Sequence, residues 1–203
     1  MIRLHDSLVS GNGYKVRLLL RQLGIPFERI EYDLAAGEMR TPEFLQRANP
    51  NGRIPVLETE EGRFLPESGA ILFYLAEGTP YLPEGRFERA QTLQWMFFEQ
   101  YSHEPNVAVP RAWAHFGVEL TDERLRALEQ KRRLGYAALG VMEGHLKSDD
   151  FFVANRYSIA DIALYAYTHV ADEGGFDLRR FPAIGAWMER VRTQPGYIPI
   201  TRS

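Results

Sequence analysis

The chain has 203 residues, of which 45% are hydrophobic and 25% charged, and its formal net charge is −3. This balance, with a pI near 6.0, excludes the strongly basic composition typical of nucleic-acid-binding proteins. The chain contains no cysteine, which excludes disulfides, thiolate metal sites and a protein thiol as the nucleophile of an enzyme.

The apolar segments and the histidines indicate neither a membrane protein nor a metalloprotein. The first six residues lack the long apolar core of a signal peptide. No apolar run approaches the ~20 residues that are needed to span a bilayer. Four histidines show no spacing typical of a metal site: His5, His115, His145 and His169. We therefore expect a cytoplasmic protein with no membrane partner, no nucleic-acid partner and no metal.

The first third of the chain alternates strand and helix patterns. Residues 2–5 alternate apolar and polar side chains, as a short strand does. A loop rich in Ser, Gly and Asn over residues 7–13 precedes a helix that starts near Tyr14 and ends at Gly24. Residues 27–34 read as a second strand, and the helical connection predicts that the two strands are parallel.

Two more strands and two more helices complete this part. Thr41 is the predicted cap of a short helix, and strands are predicted around Val56 and Phe64 with a hairpin turn between them. A helix over residues 68–76 follows. The order strand-helix-strand-helix-strand-strand-helix predicts an α/β thioredoxin-like N-terminal domain over residues 1–77.

The rest of the chain reads as helical. Residues 78–85, which contain repeated Gly and Pro, form the predicted linker. We expect an all-α C-terminal domain over residues 86–203, because no strand pattern appears before the final ten residues. Pro105 and Pro110 should bend or break the helix that starts near Arg86.

The central helix of this helical part has a strong start signal. Ser158 can cap the helix, and Asp161 can accept a hydrogen bond from the backbone N–H of the cap, which is a capping-box arrangement. Tyr157 and Ile162 flank the cap as a hydrophobic staple. The helix that follows is apolar nearly all round, which predicts the buried centre of the domain.

The segment NPNGRIPVL carries turn signals followed by a short apolar strand. Pro55 has no N–H to donate, and the Ile54-Pro55 bond is one where a cis peptide is tolerated. A cis bond leaves the backbone N–H and C=O of Ile54 free to pair with an extended, peptide-like ligand. The alternative is an ordinary loop proline.

The next segment, LPESGAI, suits the head of an amino acid. Ser68 stands where a helix begins, and the unpaired N–H groups there favour a carboxylate. Glu67 offers a negative charge to an amine. The alternative is that Ser68 only caps the helix and that Glu67 is a solvated charge.

In this order and spacing, the run "NPNGRIPVL…LPESGAILFYLAE" resembles the glutathione-binding half of the cytosolic glutathione transferases. The resemblance implies that Pro55 is cis, that Ile54 pairs with the cysteinyl backbone of glutathione, and that Glu67 and Ser68 hold the γ-glutamyl head. The capping box of the helical half is also similar to that family, where its role is in folding. The resemblance covers nearly the whole chain.

The loop before the first helix is the predicted position of the thiol chemistry. A thiol has a pKa near 8.5, so it needs a donor that stabilises the thiolate. The loop resembles that of bacterial transferases with a Ser/Thr-Asn pattern, which implies Ser10 as the thiolate-stabilising hydroxyl and Asn12 as a second donor. The alternative is that both only form the turn and cap the helix. Tyr14 is a rival donor, although the tyrosine of other relatives sits closer to the first strand.

Further site residues follow from the resemblance alone. It implies that Arg53 pairs with the glycine carboxylate of glutathione, and that Arg40 substitutes for a polar group that relatives have at Met39. It also implies a second-substrate pocket in the cleft between the two halves. Its candidate residues, which are equally well explained as core or dimer contacts, are Tyr101, His103, Glu104, Arg111, Trp113 and Phe116.

The resemblance implies an enzyme that uses glutathione as co-substrate and attacks a small electrophile, with a homodimer as the expected assembly. Glutathione-dependent disulfide-bond reduction is the first alternative, since the Asn-Gly loop is similar to the subgroup with that activity. A non-catalytic interaction protein with the same fold is the second. The sequence names neither the electrophile nor the residues of a dimer interface.

Overall fold

The structure is a computed structural model, and it describes residues 1–202. The chain divides into two compact units. Among the described residues, the first contains residues 1–82 together with 194–202, and the second contains residues 83–193. The first is a thioredoxin-like α/β domain and the second is all-helical, which confirms the predicted fold class.

A four-stranded mixed sheet forms the centre of the first unit. Its strands are β1 (Ile2–Asp6), β2 (Phe27–Glu31), β3 (Val56–Glu58) and β4 (Phe64–Pro66), in the order β2-β1-β3-β4. β1 and β2 are parallel, as the helical connection predicted, and the other two pairs are antiparallel. The register places Leu4 opposite Leu57, and both side chains are fully buried.

The helices of the first unit are α1 (Gly11–Gln22), α2 (Pro42–Arg47) and α3 (Ser68–Ala76), with a short 3-10 turn over Glu38–Arg40. α1 begins three residues before the predicted position. A Cβ at Gly13 would collide with the carboxylate of Asp6 at the end of β1, so close packing requires glycine there. This packing overrides the weak helix propensity of glycine, on which the loop prediction rested.

The C-terminal segment packs with the first unit, whereas the predicted division grouped it with the helical domain. The Tyr14 hydroxyl donates to the carbonyl of Ile198 over 2.7 Å, and the Arg17 guanidinium donates to the carbonyl of Ile200 over 3.0 Å. Both donors lie on α1 and both are fully buried. Contacts between residues more than 180 positions apart hold this segment, and no local pattern encodes them.

The second unit contains α4 (Arg86–Phe98), α5 (Glu104–His115), α6 (Asp122–Leu146), α7 (Ile159–Thr168) and α8 (Pro182–Arg192). A π-helical turn over Glu99–His103 joins α4 to α5, and two 3-10 turns cover Ala171–Gly174 and Leu178–Arg180. Pro105 lies in the first turn of α5, directly after the π turn. Pro110 lies inside α5, which it does not break.

Every residue of α7 is buried, as its apolar pattern predicted. The capping box is present at its start: Asp161 accepts from the backbone N–H of Ser158 over 3.0 Å. The same carboxylate accepts from the indole N–H of Trp187 over 2.9 Å. This start therefore ties α7 to α8 through a buried side chain.

Candidate active site

Ser10 caps α1 at the end of the loop that follows β1. Its Oγ accepts from the backbone N–H of Gly13 over 3.1 Å, and its backbone is extended. This bond uses a lone pair of the hydroxyl and leaves the O–H able to donate. Among residues 1–202 the Ser10 hydroxyl donates to no acceptor. Capping the helix and donating to a ligand are therefore compatible roles for this side chain.

Asn12 is the point where the two predicted ligand-binding segments meet. The Ser68 hydroxyl lies 3.4 Å from Asn12 Oδ1, although the two residues are 56 positions apart in the chain. The ammonium of Lys15 lies 2.7 Å from the same oxygen. The start of α1 and the start of α3 thus converge, which brings two helix N-termini, one capped by Ser10 and one without a side-chain cap, to one place.

The backbone at the start of α3 is unusual. Glu67, the residue before the helix, has φ 74° and ψ 113°, and it makes no side-chain capping bond. A positive φ is rare for a residue with a Cβ, and such strained backbone clusters at functional sites. The Glu67 side chain is exposed and has no partner among residues 1–202, whereas Ser68 is only 5% exposed.

The Ile54-Pro55 peptide bond is cis, as predicted. The Ile54 side chain packs on a cluster that includes Phe44 and Val56, so it anchors the segment to the domain core. Its backbone lies before the β3 ladder, and among the described residues neither its N–H nor its carbonyl has a hydrogen-bond partner. Asn49 supports this turn, since its buried amide donates to the carbonyl of Arg53 over 2.8 Å.

Arg40 and Arg53 are both exposed, and neither guanidinium has a partner within the described part of the chain. The stem of Arg40 passes beside Gly52, where a Cβ would lie 3.5 Å from Arg40 Cγ. Arg53 directly follows Gly52 in the sequence. Two cationic side chains are therefore available beside the turn that leads into the cis bond.

A buried ion pair supports the loop from behind. The Arg17 guanidinium pairs with the carboxylate of Asp6, and both side chains are fully buried. The guanidinium also donates to the carbonyls of Ser7 and Leu8, the latter over 3.0 Å. Burial raises the pKa of the Asp6 carboxyl, and the charge of Arg17 opposes that rise. The pair fixes the path of the chain from β1 to Ser10.

The candidate second-substrate residues lie in the helical unit and differ in their surroundings. Tyr101 is 87% exposed and Phe116 is 45% exposed, whereas His103 is fully buried. The Thr168 hydroxyl donates to the Leu164 carbonyl over 2.7 Å. It therefore accepts from Nε2–H of His103 over 2.9 Å, which fixes that tautomer.

Arg111 pairs with Glu173 over 2.6 Å, and Trp113 is half-buried in the same helix, α5. His103 and Arg111 therefore both have partners inside their own unit. The assignment of these residues to a second-substrate pocket stays a prediction.

Sequence reasoning gave no role to Lys15, which is 1% exposed and bonded to Asn12. A charged residue between the buried Tyr14 and Val16 is the signal that could have indicated it. Tyr14, the rival sulfur donor, directs its hydroxyl to the Ile198 carbonyl. The positive φ of Glu67 leaves no trace in the sequence.

Among residues 1–202, no helix has both the length and the apolar character that a membrane crossing requires. Within the same part of the chain, no cluster of three His, Asp or Glu side chains could hold a metal ion. The candidate site presents hydroxyl, amide and backbone donors, carboxylate and guanidinium charges, and a buried ammonium.

Two family models match this chain. The model described as glutathione S-transferase, N-terminal domain, matches residues 3–77, and the model described as glutathione S-transferase, C-terminal domain, matches residues 98–195. Each match covers most of one compact unit.

Individual proteins are similar along nearly the whole chain. The disulfide-bond oxidoreductase YfcG of Escherichia coli (strain K12) is 32% identical over 191 residues, which cover 91% of this chain and 87% of that protein. The crystal structure of a glutathione S-transferase from Pseudomonas fluorescens Pf-5 has a TM-score of 0.95 and 49% identity, and the match covers 99% of each chain. The structure of Ure2p in complex with S-hexylglutathione has a TM-score of 0.87 and 25% identity, with 99% of this chain and 98% of that chain covered.

Proposed function

The chain belongs to the glutathione S-transferase family, and we propose that it is an enzyme that binds glutathione and uses the glutathione thiolate as its nucleophile. The observation that carries the proposal is the approach of Ser68 Oγ to Asn12 Oδ1. It joins a predicted anchor for an amino-acid head to a predicted donor for a sulfur. A complex of the related Ure2p with S-hexylglutathione supports the choice of ligand.

In this proposal the start of α3 binds the γ-glutamyl head. The Ser68 hydroxyl, which lies 3.4 Å from Asn12 Oδ1 without a ligand, turns to donate its single proton to the carboxylate, which also accepts from the first N–H groups of the helix. The amine pairs with the exposed Glu67 carboxylate. Glu67 has a positive φ and an exposed side chain, so its carboxylate is accessible to the amine of a ligand. The backbone of Ile54, which has no partner among residues 1–202, pairs with the cysteinyl residue as an added strand does.

The glycine end of glutathione carries a second carboxylate. We assign it to Arg53, with Arg40 as a second cation, because both guanidinium groups are exposed and lack partners among the described residues. Exposed ion pairs contribute little, typically up to about 1 kcal/mol, so this end adds specificity more than affinity.

The cysteinyl sulfur then lies near Ser10 and Asn12. A drop of one unit in the thiol pKa corresponds to about 1.4 kcal/mol of preference for the thiolate. One hydrogen bond to a charged group contributes about 1.5–3 kcal/mol, so the Ser10 hydroxyl alone could supply that drop. The start of α1 adds a field that favours the anion.

Two reactions follow from such a thiolate, and we propose conjugation as the main one. The sulfur attacks an electrophilic carbon and expels a leaving group, which is the chemistry of detoxification in the cytoplasm. Disulfide reduction is the second candidate, and the similarity to YfcG favours it. In that reaction the thiolate attacks one sulfur of the substrate disulfide, forms a mixed disulfide and releases the other sulfur as a thiolate. The thiolate of a second glutathione then attacks the glutathione sulfur of the mixed disulfide, which forms glutathione disulfide and releases the remaining substrate thiolate.

The test is an ultraviolet titration of bound glutathione against pH, with wild type and Ser10→Ala. We expect the bound thiol to ionise at least one unit below free glutathione, and Ser10→Ala to remove most of that shift. Binding without a shift would contradict an activated thiol. No binding at millimolar glutathione would favour the non-catalytic interaction protein.

The two reactions are separated by initial rates with glutathione and either 1-chloro-2,4-dinitrobenzene or hydroxyethyl disulfide. Conjugation predicts turnover of the first compound and disulfide reduction predicts turnover of the second. Whichever compound the wild type turns over, Ser10→Ala should lower its initial rate of turnover, because both reactions use the same thiolate.

We also propose a homodimer. The exposed Phe97 and Tyr101 are four residues apart on one helical face, and they are 68% and 87% exposed. Light scattering should give twice the chain mass of 23.3 kDa, and Phe97→Glu should shift the protein towards a monomer. A monomeric wild type would contradict this assembly.

A further inference from the structure

We infer that Lys15 is a positioning residue for the thiolate chemistry, which it serves by fixing the side-chain amide of Asn12 in one orientation. The inference rests on the proposed function, because it concerns the donor that Asn12 presents to the sulfur. Lys15 itself does not contact the ligand, and it acts through Asn12.

The geometry determines which end of the amide faces the lysine. An ammonium has three donors and no acceptor, so the atom that lies 2.7 Å from Lys15 Nζ must be the amide oxygen of Asn12. The Ser68 hydroxyl lies 3.4 Å from the same oxygen. With Oδ1 directed to the ammonium of Lys15, the opposite edge of the amide presents only N–H donors. A developing thiolate accepts from donors, so this orientation is the productive one.

Lys15 is a charged residue at a buried position of α1. The side chain is 1% exposed, and a buried ammonium is kept where it is paired, here with the amide oxygen of Asn12. It also lies near the start of α1, where the helix dipole disfavours a positive charge. The adjacent Tyr14 and Val16 are fully buried, so an apolar residue would suit the packing of this face.

The experiment is a double-variant cycle on the pKa of bound glutathione, with Lys15→Met, Asn12→Ala and the double variant. Lys15→Met should raise the thiol pKa by about one unit, which lowers the thiolate fraction about tenfold at neutral pH. In the Asn12→Ala background the same substitution should change that fraction less than about twofold. Equal effects in both backgrounds would overturn the inference, since Lys15 would then act on the sulfur without Asn12.

A glutathione analogue without a thiol separates positioning from damage to the site. Lys15→Met should bind S-methylglutathione within about threefold of wild type, because this ligand has no thiolate to lose. A parallel loss of S-methylglutathione affinity would show a structural role and overturn the inference. Lys147→Met, at an exposed lysine after α6, is the matched control and should change neither measurement.

Lys15→Gln provides a second variant should Lys15→Met fail to fold. It keeps an N–H donor for Asn12 Oδ1 and removes the charge. It should therefore retain more of the lowering of the glutathione thiol pKa than Lys15→Met does. If Lys15→Met does not fold, the comparison is made with Asn12→Ala instead. A shift as small as in Asn12→Ala would contradict orientation by a donor. If the proposed function holds, the wild-type protein binds glutathione and lowers its thiol pKa. A failure of the proposed function is therefore seen in the wild-type measurement, before any variant is compared.

Discussion

Two helix starts in this protein use the same residue type in opposite ways. At α7 the Ser158 hydroxyl is 1% exposed, accepts from the N–H of Ala160 and donates to Asp161. At α1 the Ser10 hydroxyl is half-buried, accepts from Gly13 and has no acceptor of its own among residues 1–202. We call the α7 start closed, because its hydroxyl donor is bonded within the protein. We call the α1 start open, because its hydroxyl donor is unused among residues 1–202.

The difference separates folding from function. Asp161 accepts four hydrogen bonds, from Phe152, Trp187 and two groups of Ser158, and burial raises its pKa to about 7. Such a start stabilises the fold and offers nothing to a ligand. The starts of α1 and α3 converge, the Ser10 hydroxyl there has no acceptor among residues 1–202, and Glu67 carries strained backbone. A helix start with an unused donor of this kind can bind an anionic ligand.

The largest effect should come from Asp161→Ala. It leaves the buried donors of Trp187 and Phe152 without an acceptor, so the free energy of unfolding should fall by about 3–5 kcal/mol. Denaturant unfolding measures this, with Asp122→Ala at the exposed start of α6 as a control that should cost under about 1 kcal/mol. A small change at Asp161 would contradict the structural role of the closed start.

Ser68→Ala should affect binding rather than folding. Loss of a hydrogen bond to the ligand carboxylate should weaken glutathione binding by at least about tenfold, which is 1.4 kcal/mol. The free energy of unfolding should change by less than about 1 kcal/mol. Calorimetric titration gives the affinity, and Ser148→Ala at an exposed position is the matched control. Unchanged affinity would count against the carboxylate anchor.

Alanine at the two capping serines compares the two starts directly. Ser10→Ala and Ser158→Ala should each lower the free energy of unfolding by about 1 kcal/mol, the usual contribution of a cap. Only Ser10→Ala should also raise the pKa of bound glutathione. If Ser158→Ala changed that pKa equally, the distinction between open and closed starts would fail.

The smallest effect should be a gain in stability at Glu67→Gly. Glycine adopts a positive φ without a Cβ penalty, so the free energy of unfolding should rise by up to about 1 kcal/mol. Glutathione affinity should fall, because the carboxylate for the amine is lost. Ala154→Gly, at φ 50°, relieves similar strain in the helical unit and should leave affinity unchanged. A loss of stability at Glu67→Gly would show that the backbone there is unstrained.

The sequence by itself determined the features that depend on spacing along the chain. Apolar periodicity and turn residues predicted the strands, the parallel β1–β2 pair and the thioredoxin-like order. The Ser158–Asp161 spacing predicted the capping box, and the family resemblance of the segment around Ile54-Pro55 implied the cis bond. These features are local, since the interacting groups are within a few residues or a single connection of each other.

Only the tertiary structure decided which groups meet. The approach of Ser68 to Asn12 joins residues 56 positions apart, and the packing of Ile198 and Ile200 on α1 joins residues still further apart. The buried ammonium of Lys15 and the positive φ of Glu67 also arise from this packing. A sequence pattern fixes the face on which a side chain lies, but the direction of a hydrogen bond across the fold depends on how separate elements pack together.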